Sequence, residues 1–89
     1  MKIKLSAVII TYNEEKNLER CILSLLNVAD EIIVVDSFST DKTKEIAAKL
    51  KVKFIENEFK GHIQQKNFAI TKASNRHVLS LDADECLSD

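Results

Sequence analysis

The sequence contains no proline and no tryptophan, and its one glycine is Gly61. A GxGxxG dinucleotide-binding turn and a P-loop both need several glycines, because glycine lets the backbone approach phosphate groups closely. A single glycine therefore excludes both phosphate-binding fingerprints. The lack of proline, together with 45% hydrophobic and 30% charged residues, indicates a folded domain that is rich in regular structure.

Cysteine and net charge are also scarce. The two cysteines, Cys21 and Cys86, lie far apart and show no CxxC or Cys/His spacing, so we expect reduced thiols and no structural zinc site. The 13 basic and 14 acidic residues leave a formal charge of -1, and no strong basic cluster predicts a nucleic-acid partner.

Long hydrophobic runs are missing as well. The run from Leu5 to Ile10 is too short for a signal-peptide core, and no window approaches the roughly 18 apolar residues of a transmembrane helix. We therefore expect no transmembrane segment and a cytoplasmic protein, with peripheral attachment to the inner face of the membrane left open. A length of 89 residues allows one domain, residues 1–89, near the lower size limit for independent folding.

Four apolar runs alternate with amphipathic stretches, which predicts an α/β domain of βαβαβαβ order with a mostly parallel sheet. The first, second and fourth runs are nearly continuous in Ile, Val and Leu, so we expect those strands to be covered on both faces. The predicted strands are Ile3 to Ile10, Glu31 to Val35, Val52 to Glu56, and His77 to Leu81.

Three helices are predicted between these strands from apolar residues at spacings of three and four. We expect Asn13 to cap the first helix, and Ser39 or Thr40 to cap the second, with Asp41 in its first turn. The third helix is predicted from about His62 to Ala73. The inward positions are Leu18, Cys21, Ile22, Leu25 and Leu26 in the first helix, Ile46, Ala47 and Leu50 in the second, and Ile63, Ile70 and Ala73 in the third.

Polar clusters follow three of the strands. They are Thr11-Tyr12-Asn13-Glu14, Asp36-Ser37-Phe38-Ser39, and Asp82-Ala83-Asp84. In a parallel sheet these clusters share one edge, and ligands of open α/β sheets bind outside the carboxyl ends of the strands. One cluster alone can be a solvated strand end, but three at one edge predict a ligand site.

Asp36 follows the strand sequence EIIVV directly. An acidic residue at this position of a nucleotide-binding βαβ unit accepts hydrogen bonds from ribose hydroxyls. Aspartate also commonly caps turns by accepting hydrogen bonds from nearby backbone amides. Both interpretations of Asp36 remain open from the sequence.

Asp82 and Asp84 lie two residues apart, so in an extended segment their carboxylates leave the same face. Such hard oxygen ligands suit Mg²⁺ or Mn²⁺, which one or two carboxylates hold together with substrate phosphate oxygens. The alternative is a solvated acidic turn. Lys66 either approaches a diphosphate or Asp82 from the third helix or remains solvated, and we interpret His62 and His77 as structural.

The segments AVIITYNEEKNLERCILSLL, EIIVVDSFSTDKTKEIA, QQKNFAI and VLSLDADE together resemble the nucleotide-binding half of family 2 glycosyltransferases with the GT-A fold. Within that family they look most like the bacterial lipopolysaccharide-core β-1,4-glucosyltransferases. The resemblance covers essentially the whole chain, with the motifs in the expected order and spacing. It implies a Rossmann-like GT-A half-domain.

The resemblance also implies roles for particular residues. Asp82 and Asp84 match the DxD motif, in which the first acid contacts ribose and the second coordinates a metal that bridges the diphosphate. Ser37 departs from the pattern, since many relatives have glycine or asparagine there. The implied nucleotide-binding residues are Thr11, Tyr12, Asn13, Asp36, Ser37, Lys66, Asn67 and Asp82, and the implied metal ligands are Asp82 and Asp84.

The implied chemistry is inverting transfer of a sugar from a UDP-sugar to a glycan or lipid-linked acceptor of the cell envelope. Mg²⁺ or Mn²⁺ would stabilise the leaving diphosphate, and a carboxylate base would deprotonate the acceptor. In the family that base belongs to the acceptor-binding half, after the DxD strand. We therefore expect residues 1–89 to be a donor-binding domain of a longer transferase, inactive alone, with uncovered apolar surface that favours a homodimer.

Two other functions are compatible with parts of the pattern. A non-catalytic nucleotide-binding or interaction module would show the same strand-end residues. A phosphohydrolase or receiver-like protein would also use strand-end aspartates, but phosphatases that attack through a DxD aspartate tend to carry that motif on the first strand, whereas here it follows the fourth.

Overall fold

A computed structural model of the chain describes residues 4–85. It confirms the βαβαβαβ order. The prediction for Cys86 and the predicted strand start at Ile3 lie outside the described residues. The elements are β1 (Leu5–Thr11), α1 (Leu18–Leu25), β2 (Glu31–Asp36), α2 (Thr43–Lys49), β3 (Lys53–Glu56), α3 (His62–Thr71), β4 (His77–Asp82) and a 3-10 turn (Ala83–Glu85).

The four strands form one parallel sheet in the order β3-β2-β1-β4. The chain builds β1, β2 and β3 outward in one direction and then returns to place β4 on the other side of β1. The strand order therefore reverses between β1 and β4, which is where open α/β sheets bind ligands. In the register, Thr11 pairs with Asp36, and Ile10 pairs with Asp82.

The core has two layers because alternate residues of the central strands point to opposite faces of the sheet. The face that packs against α1 and α2 contains Ala7, Ile9, Leu18, Cys21, Ile22, Leu25, Ile32, Val34, Ala47 and Ala83. The face that packs against α3 contains Val8, Ile10, Ile33, Val35 and Ala69. Burial on both faces confirms the prediction for β1 and β2.

The same prediction was wrong for β4, whose residues are exposed at His77 and half-buried from Val78 onward. Within residues 4–85, β4 is an edge strand that pairs with β1 alone. The apolar residues of β4 are therefore only partly covered by the described part of the chain.

The start of α1 differs from the prediction. Asn17, not Asn13, occupies the N-cap position, and it makes no side-chain capping bond. The side chain of Asn13 is committed elsewhere, because its Oδ1 accepts a hydrogen bond from the Thr40 amide at 2.8 Å. Leu26 was also misplaced: it follows the last residue of α1, and 53% of its surface is exposed.

The predicted caps of α2 were wrong as well. Lys42 occupies its N-cap position, and Asp41 carries the hydrogen bond instead, since its Oδ1 accepts from the Thr43 amide at 2.9 Å. Ser39 and Thr40 bond to groups near the ends of β1 and β2. The predicted apolar face of α2 is confirmed, because its three residues, Ile46, Ala47 and Leu50, all belong to or pack against the core.

The buried face of α3 is not the predicted one. Ile63 is 74% exposed and Ile70 is also exposed, whereas Gln65 and Ala69 are buried. Ala73 is half-buried against the core, as expected. The buried positions recur every four residues, and their pattern includes a glutamine whose hydrogen bonds make its burial tolerable.

Glu31 connects several elements at the amino-terminal edge of the sheet. Its carboxylate accepts hydrogen bonds from Ser6 Oγ at 2.8 Å, from the Ser74 amide at 2.8 Å and from Lys53 Nζ at 2.5 Å. The bond from Lys53, followed by that from the Ser74 amide, lowers the pKa of Glu31 from 4.5 to about 2. These contacts join the start of β2 to β1, to β3 and to the segment that leads into β4.

Within residues 4–85, none of the helices has the length and apolar character needed to cross a membrane.

We expect Glu31→Gln to lower the free energy of unfolding at neutral pH by about 1–3 kcal/mol, because its four donors, on Ser6, Lys53 and Ser74, lose a charged acceptor. The folded-state pKa of Glu31 lies below the unfolded one, so its ionisation stabilises the fold above about pH 4.5. That stabilisation is lost as the pH falls toward about 2. Urea denaturation between pH 7 and pH 2 should therefore show a flatter pH dependence for the variant.

Glu45→Gln, which changes an exposed carboxylate on α2, is the matched control and should leave the pH dependence unchanged. Parallel curves for the wild type and Glu31→Gln would contradict the role assigned to Glu31.

Candidate functional site

The carboxyl ends of β1 and β2 are joined by a buried hydrogen bond. Thr11 Oγ1 donates to Asp36 Oδ1 at 2.6 Å, and Asp36 is only 1% exposed. Parallel pairing places the two residues directly opposite each other in the register. Two of the predicted site residues are therefore held together by the sheet itself.

Asp36 also organises the loop that follows β2 (residues 37–42). Its Oδ2 accepts from the Ser39 amide at 2.7 Å, and its Oδ1 accepts from Ser39 Oγ at 2.5 Å. Of the two interpretations left open by the sequence, turn capping is the one formed within the described residues. Three hydrogen bonds leave part of the acceptor capacity of the carboxylate unused, and the contact of Asp36 with ribose or uracil stays a prediction.

Direct hydrogen bonds hold the loop after β1 (residues 12–17) to the loop after β2. The Asn13 amide donates to Ser39 Oγ at 2.7 Å, and the Thr40 amide donates to Asn13 Oδ1 at 2.8 Å. Farther along, the Glu14 amide donates to Thr43 Oγ1 at 2.9 Å. The two loops therefore form one connected rim above the strand ends.

Asp41 adds a charged acceptor to this rim. Burial alone would raise its pKa, but hydrogen bonds from the Thr43 side chain, the Thr43 amide and the Glu15 amide hold the pKa of the carboxyl below its ordinary value. Asp41 is therefore ionised at neutral pH and helps to keep the two loops together.

Two non-glycine residues of this rim adopt left-handed backbone conformations, Asn13 at φ 52° and Phe38 at φ 58°. Asparagine tolerates that region, but it is costly for a bulky residue such as phenylalanine. The residue with unusual backbone geometry after Asp36 is therefore Phe38. It follows Ser37, the position at which the sequence differs from the family pattern. The Phe38 side chain is 55% exposed, so its burial compensates little for the strain.

A cavity of about 340 Å³ opens beside this rim and is lined by Tyr12, Ser37, Phe59 and His62. The Phe59 and His62 rings meet edge to face, with their centroids 5.2 Å apart. Tyr12 and Ser37 were predicted as site residues, whereas Phe59 was missed and His62 was interpreted as structural. Both missed residues follow β3, whose carboxyl end lies at the same edge of the sheet, and this position was the signal that would have found them.

A wider groove of about 510 Å³ lies at the opposite edge of the sheet, between the segment after α1 and the start of β3. Ala29, Glu31, Val52 and Lys53 are among the residues that line it. Although it is larger, it lies away from the strand ends that carry the predicted site residues.

Lys66 and Asn67 lie on α3, where Lys66 is half-buried and Asn67 is exposed. Neither lines the cavity described above. Their predicted contacts with a nucleotide stay predictions.

Asp82 ends β4, and Asp84 belongs to the 3-10 turn that follows. The assumption of an extended segment was therefore wrong, because the chain turns at Ala83, which is fully buried in the core. By strand alternation Asp82 faces the α3 layer, as does Val78, while Asp84 is exposed.

No group of three or more His, Cys, Asp and Glu side chains within residues 4–85 is arranged to hold a metal ion. Carboxylates are the hard oxygen donors that Mg²⁺ and Mn²⁺ prefer, so the chemistry of Asp82 and Asp84 suits such an ion, and their role as its ligands stays a prediction.

The profile of the family described as Glycosyl transferase family 2 matches residues 6–89. The chain belongs to this family. The resemblance seen in the sequence motifs is thereby confirmed.

Relatives in the family share substantial identity but are much longer. An uncharacterized glycosyltransferase of Rickettsia bellii is 52% identical over 96% of this chain, which corresponds to 29% of the relative. The lipopolysaccharide core biosynthesis glycosyltransferase LpsC of Rhizobium meliloti is 41% identical over 97% of this chain and 33% of the relative. The chain therefore spans about a third of the length of these glycosyltransferases.

Solved structures show the same fold. Glucosyl-3-phosphoglycerate synthase from Mycobacterium tuberculosis, in complex with Mn²⁺, UDP and glucosyl-3-phosphoglycerate, superposes with a TM-score of 0.78 and 26% identity, over 91% of this chain and 33% of that one. S. aureus TarS gives a TM-score of 0.72 and 29% identity, over 92% of this chain and 28% of that one. The architecture is that of a Rossmann-like GT-A half-domain, as predicted.

We expect Phe38→Gly to stabilise the fold of this family 2 chain by about 1 kcal/mol, because glycine adopts the left-handed conformation without strain. The melting temperature should rise by about 4–8 °C for a domain of this size. Tyr12→Gly is the matched control, since Tyr12 is an exposed aromatic residue of the neighbouring loop without a positive φ. Equal destabilisation by both substitutions in thermal unfolding would rule out strain at Phe38.

Proposed function

We propose that this chain binds the UDP portion of a nucleotide-sugar donor for family 2 glycosyl transfer. The observation that carries the proposal is the joined rim of β1 and β2, in which Thr11, Asp36 and Ser39 form one hydrogen-bonded cluster beside an aromatic cavity. This cluster lies at the carboxyl ends of β1 and β2, next to the point where the strand order reverses between β1 and β4. The structural neighbour that contains UDP and Mn²⁺ supports the same assignment.

In this proposal the base and ribose occupy the cavity next to Tyr12 and Ser37, with Asp36 below them. The loop contacts of Asn13 hold the Tyr12 backbone in place before a ligand arrives. A rim that is already hydrogen-bonded loses little conformational entropy on binding, which favours affinity.

The diphosphate lies toward β4 in this proposal, and Asp82 and Asp84 would hold Mg²⁺ or Mn²⁺ at that end of the site. The bound cation would supply a Lewis acid that stabilises negative charge on the departing UDP. Lys66 on α3 adds positive charge on the layer that Asp82 faces. Structures of the mycobacterial synthase with Mn²⁺ or Mg²⁺ and UDP support a divalent cation.

The reaction in this proposal is inverting. An acceptor hydroxyl attacks the anomeric carbon of the sugar, the bond from that carbon to the UDP oxygen breaks, and a carboxylate base takes the hydroxyl proton. We propose that residues 1–89 bind the sugar donor. The second substrate in this proposal is a glycan or lipid-linked acceptor of the cell envelope. The similarity to LpsC, a lipopolysaccharide core glycosyltransferase, supports that acceptor class.

A non-catalytic nucleotide-binding module would bind UDP in the same way and would differ only in turnover. The cytoplasmic location, the homodimer and the inactivity of residues 1–89 alone stay predictions.

Calorimetric titration with UDP tests the proposal. We expect Mn²⁺ to strengthen UDP binding, and Asp84→Asn to lower the metal-dependent affinity about tenfold or more, because a charged ligand is lost. Asp36→Asn should also weaken binding, since it removes a charged acceptor from the rim. Glu45→Gln on α2 is the control and should bind like the wild type.

The absence of UDP binding, or binding that Mn²⁺ and Asp84→Asn leave unchanged, would refute the proposed site.

A further inference from the structure

Gln65 belongs to α3, and only 1% of this residue is exposed. Its side-chain amide contacts the residue that follows β2 and the segment after β3. Its Nε2 donates to Ser37 Oγ at 3.0 Å and lies 3.5 Å from the backbone carbonyl oxygen of Asn57. Its Oε1 accepts from Asn57 Nδ2 at 2.9 Å. A buried amide with these partners holds the Ser37 side chain in a defined orientation.

The polarity of this network follows from the Asn57 backbone. A carbonyl oxygen can only accept, so the Gln65 atom that faces it is the amide nitrogen. The same nitrogen contacts Ser37 Oγ, which makes the Ser37 oxygen an acceptor. The Ser37 hydroxyl proton is therefore left for another acceptor, and within residues 4–85 it donates to none.

Ser37 lines the cavity of about 340 Å³, and the other three lining residues carry flat rings. Tyr12 lies on the rim, and Phe59 and His62 pack edge to face. Such walls suit a planar ring, while one fixed donor suits an acceptor atom on the edge of that ring. The cavity therefore favours a flat ring that carries a hydrogen-bond acceptor on the edge near Ser37.

We propose that Gln65 is a positioning residue that directs the Ser37 hydroxyl proton into the cavity, where Ser37 donates to the C4 carbonyl oxygen of a uracil base. This inference rests on the proposed UDP site and adds the group that selects the base. Uracil presents a carbonyl oxygen at C4, whereas cytosine presents an amino group there, so a fixed donor accepts uracil and opposes cytosine.

The affinity ratio of UDP to CDP, measured with Mn²⁺ present, tests the inference. We expect the wild type to prefer UDP about tenfold. Ser37→Ala should weaken UDP binding about 3- to 10-fold and leave CDP nearly unchanged, because one hydrogen bond to UDP is lost. Ser24→Ala, at a half-buried serine on α1, is the matched control and should preserve both affinities.

Gln65→Glu gives the sharper result. The carboxylate of this variant can only accept, so Ser37 would donate to it and present a lone pair to the cavity. The UDP to CDP ratio should then fall below that of Ser37→Ala and move toward CDP. Gln65→Met removes the amide without reversing its polarity, so its ratio should lie between those of the wild type and Gln65→Glu. A general loss of packing would weaken both nucleotides equally and leave the ratio unchanged.

Metal-dependent UDP binding with an unchanged ratio in Ser37→Ala and Gln65→Glu would overturn this inference while leaving the proposed function intact. The absence of UDP binding in the wild type would overturn both. Circular dichroism establishes whether Gln65→Glu folds, and if it does not, the Ser37→Ala ratio alone decides.

Discussion

The buried carboxylate of Asp36 is the constraint on which the geometry at the carboxyl edge of the sheet depends. A charged group with 1% exposure is tolerable only where hydrogen bonds replace water, and here Thr11 and Ser39 provide three. Those bonds fix the loop after β2 relative to the end of β1. The left-handed backbone of Phe38 and the placement of Ser37 beside the cavity both lie within that fixed loop.

A second carboxylate, the half-buried Glu31, holds the opposite end of the sheet together. It ties the starts of the strands together through Ser6, Lys53 and Ser74, so the sheet is secured at both ends of β2. The two carboxylates differ in what surrounds them. Glu31 is enclosed by donors from three segments, whereas Asp36 is followed directly by Ser37, which lines the cavity. This difference separates the edge that Glu31 holds together from the edge at which we propose nucleotide binding.

Much of the fold was predictable because it depends on local pattern. The apolar runs of β1 and β2 correspond to strands buried on both faces, and the βαβαβαβ order follows from their alternation with helices. Family membership was likewise readable, since the motifs at the ends of β1, β2 and β4 occur in order and at the expected spacing.

The features that were missed depend on contacts between distant residues. Asparagine is a common helix-capping residue, but the side chain of Asn13 accepts a hydrogen bond from the Thr40 amide across the rim. Gln65 occupies a buried position because Ser37 and Asn57 satisfy its amide, which a hydrophobic pattern cannot reveal. Phe59 and His62 contact each other locally, but they meet Tyr12 and Ser37 around the cavity only because β3 is placed beside β2 in the sheet.

Amide chemical shifts measured during titration with UDP and Mg²⁺ would reveal directly whether the carboxyl edge of the sheet binds a nucleotide. We expect the amides that shift to belong to residues 11–13, 37–39, 59–62 and 82–84, at the ends of the four strands. Shifts confined to the opposite groove, around Ala29 and Val52, or the absence of saturable shifts, would contradict it.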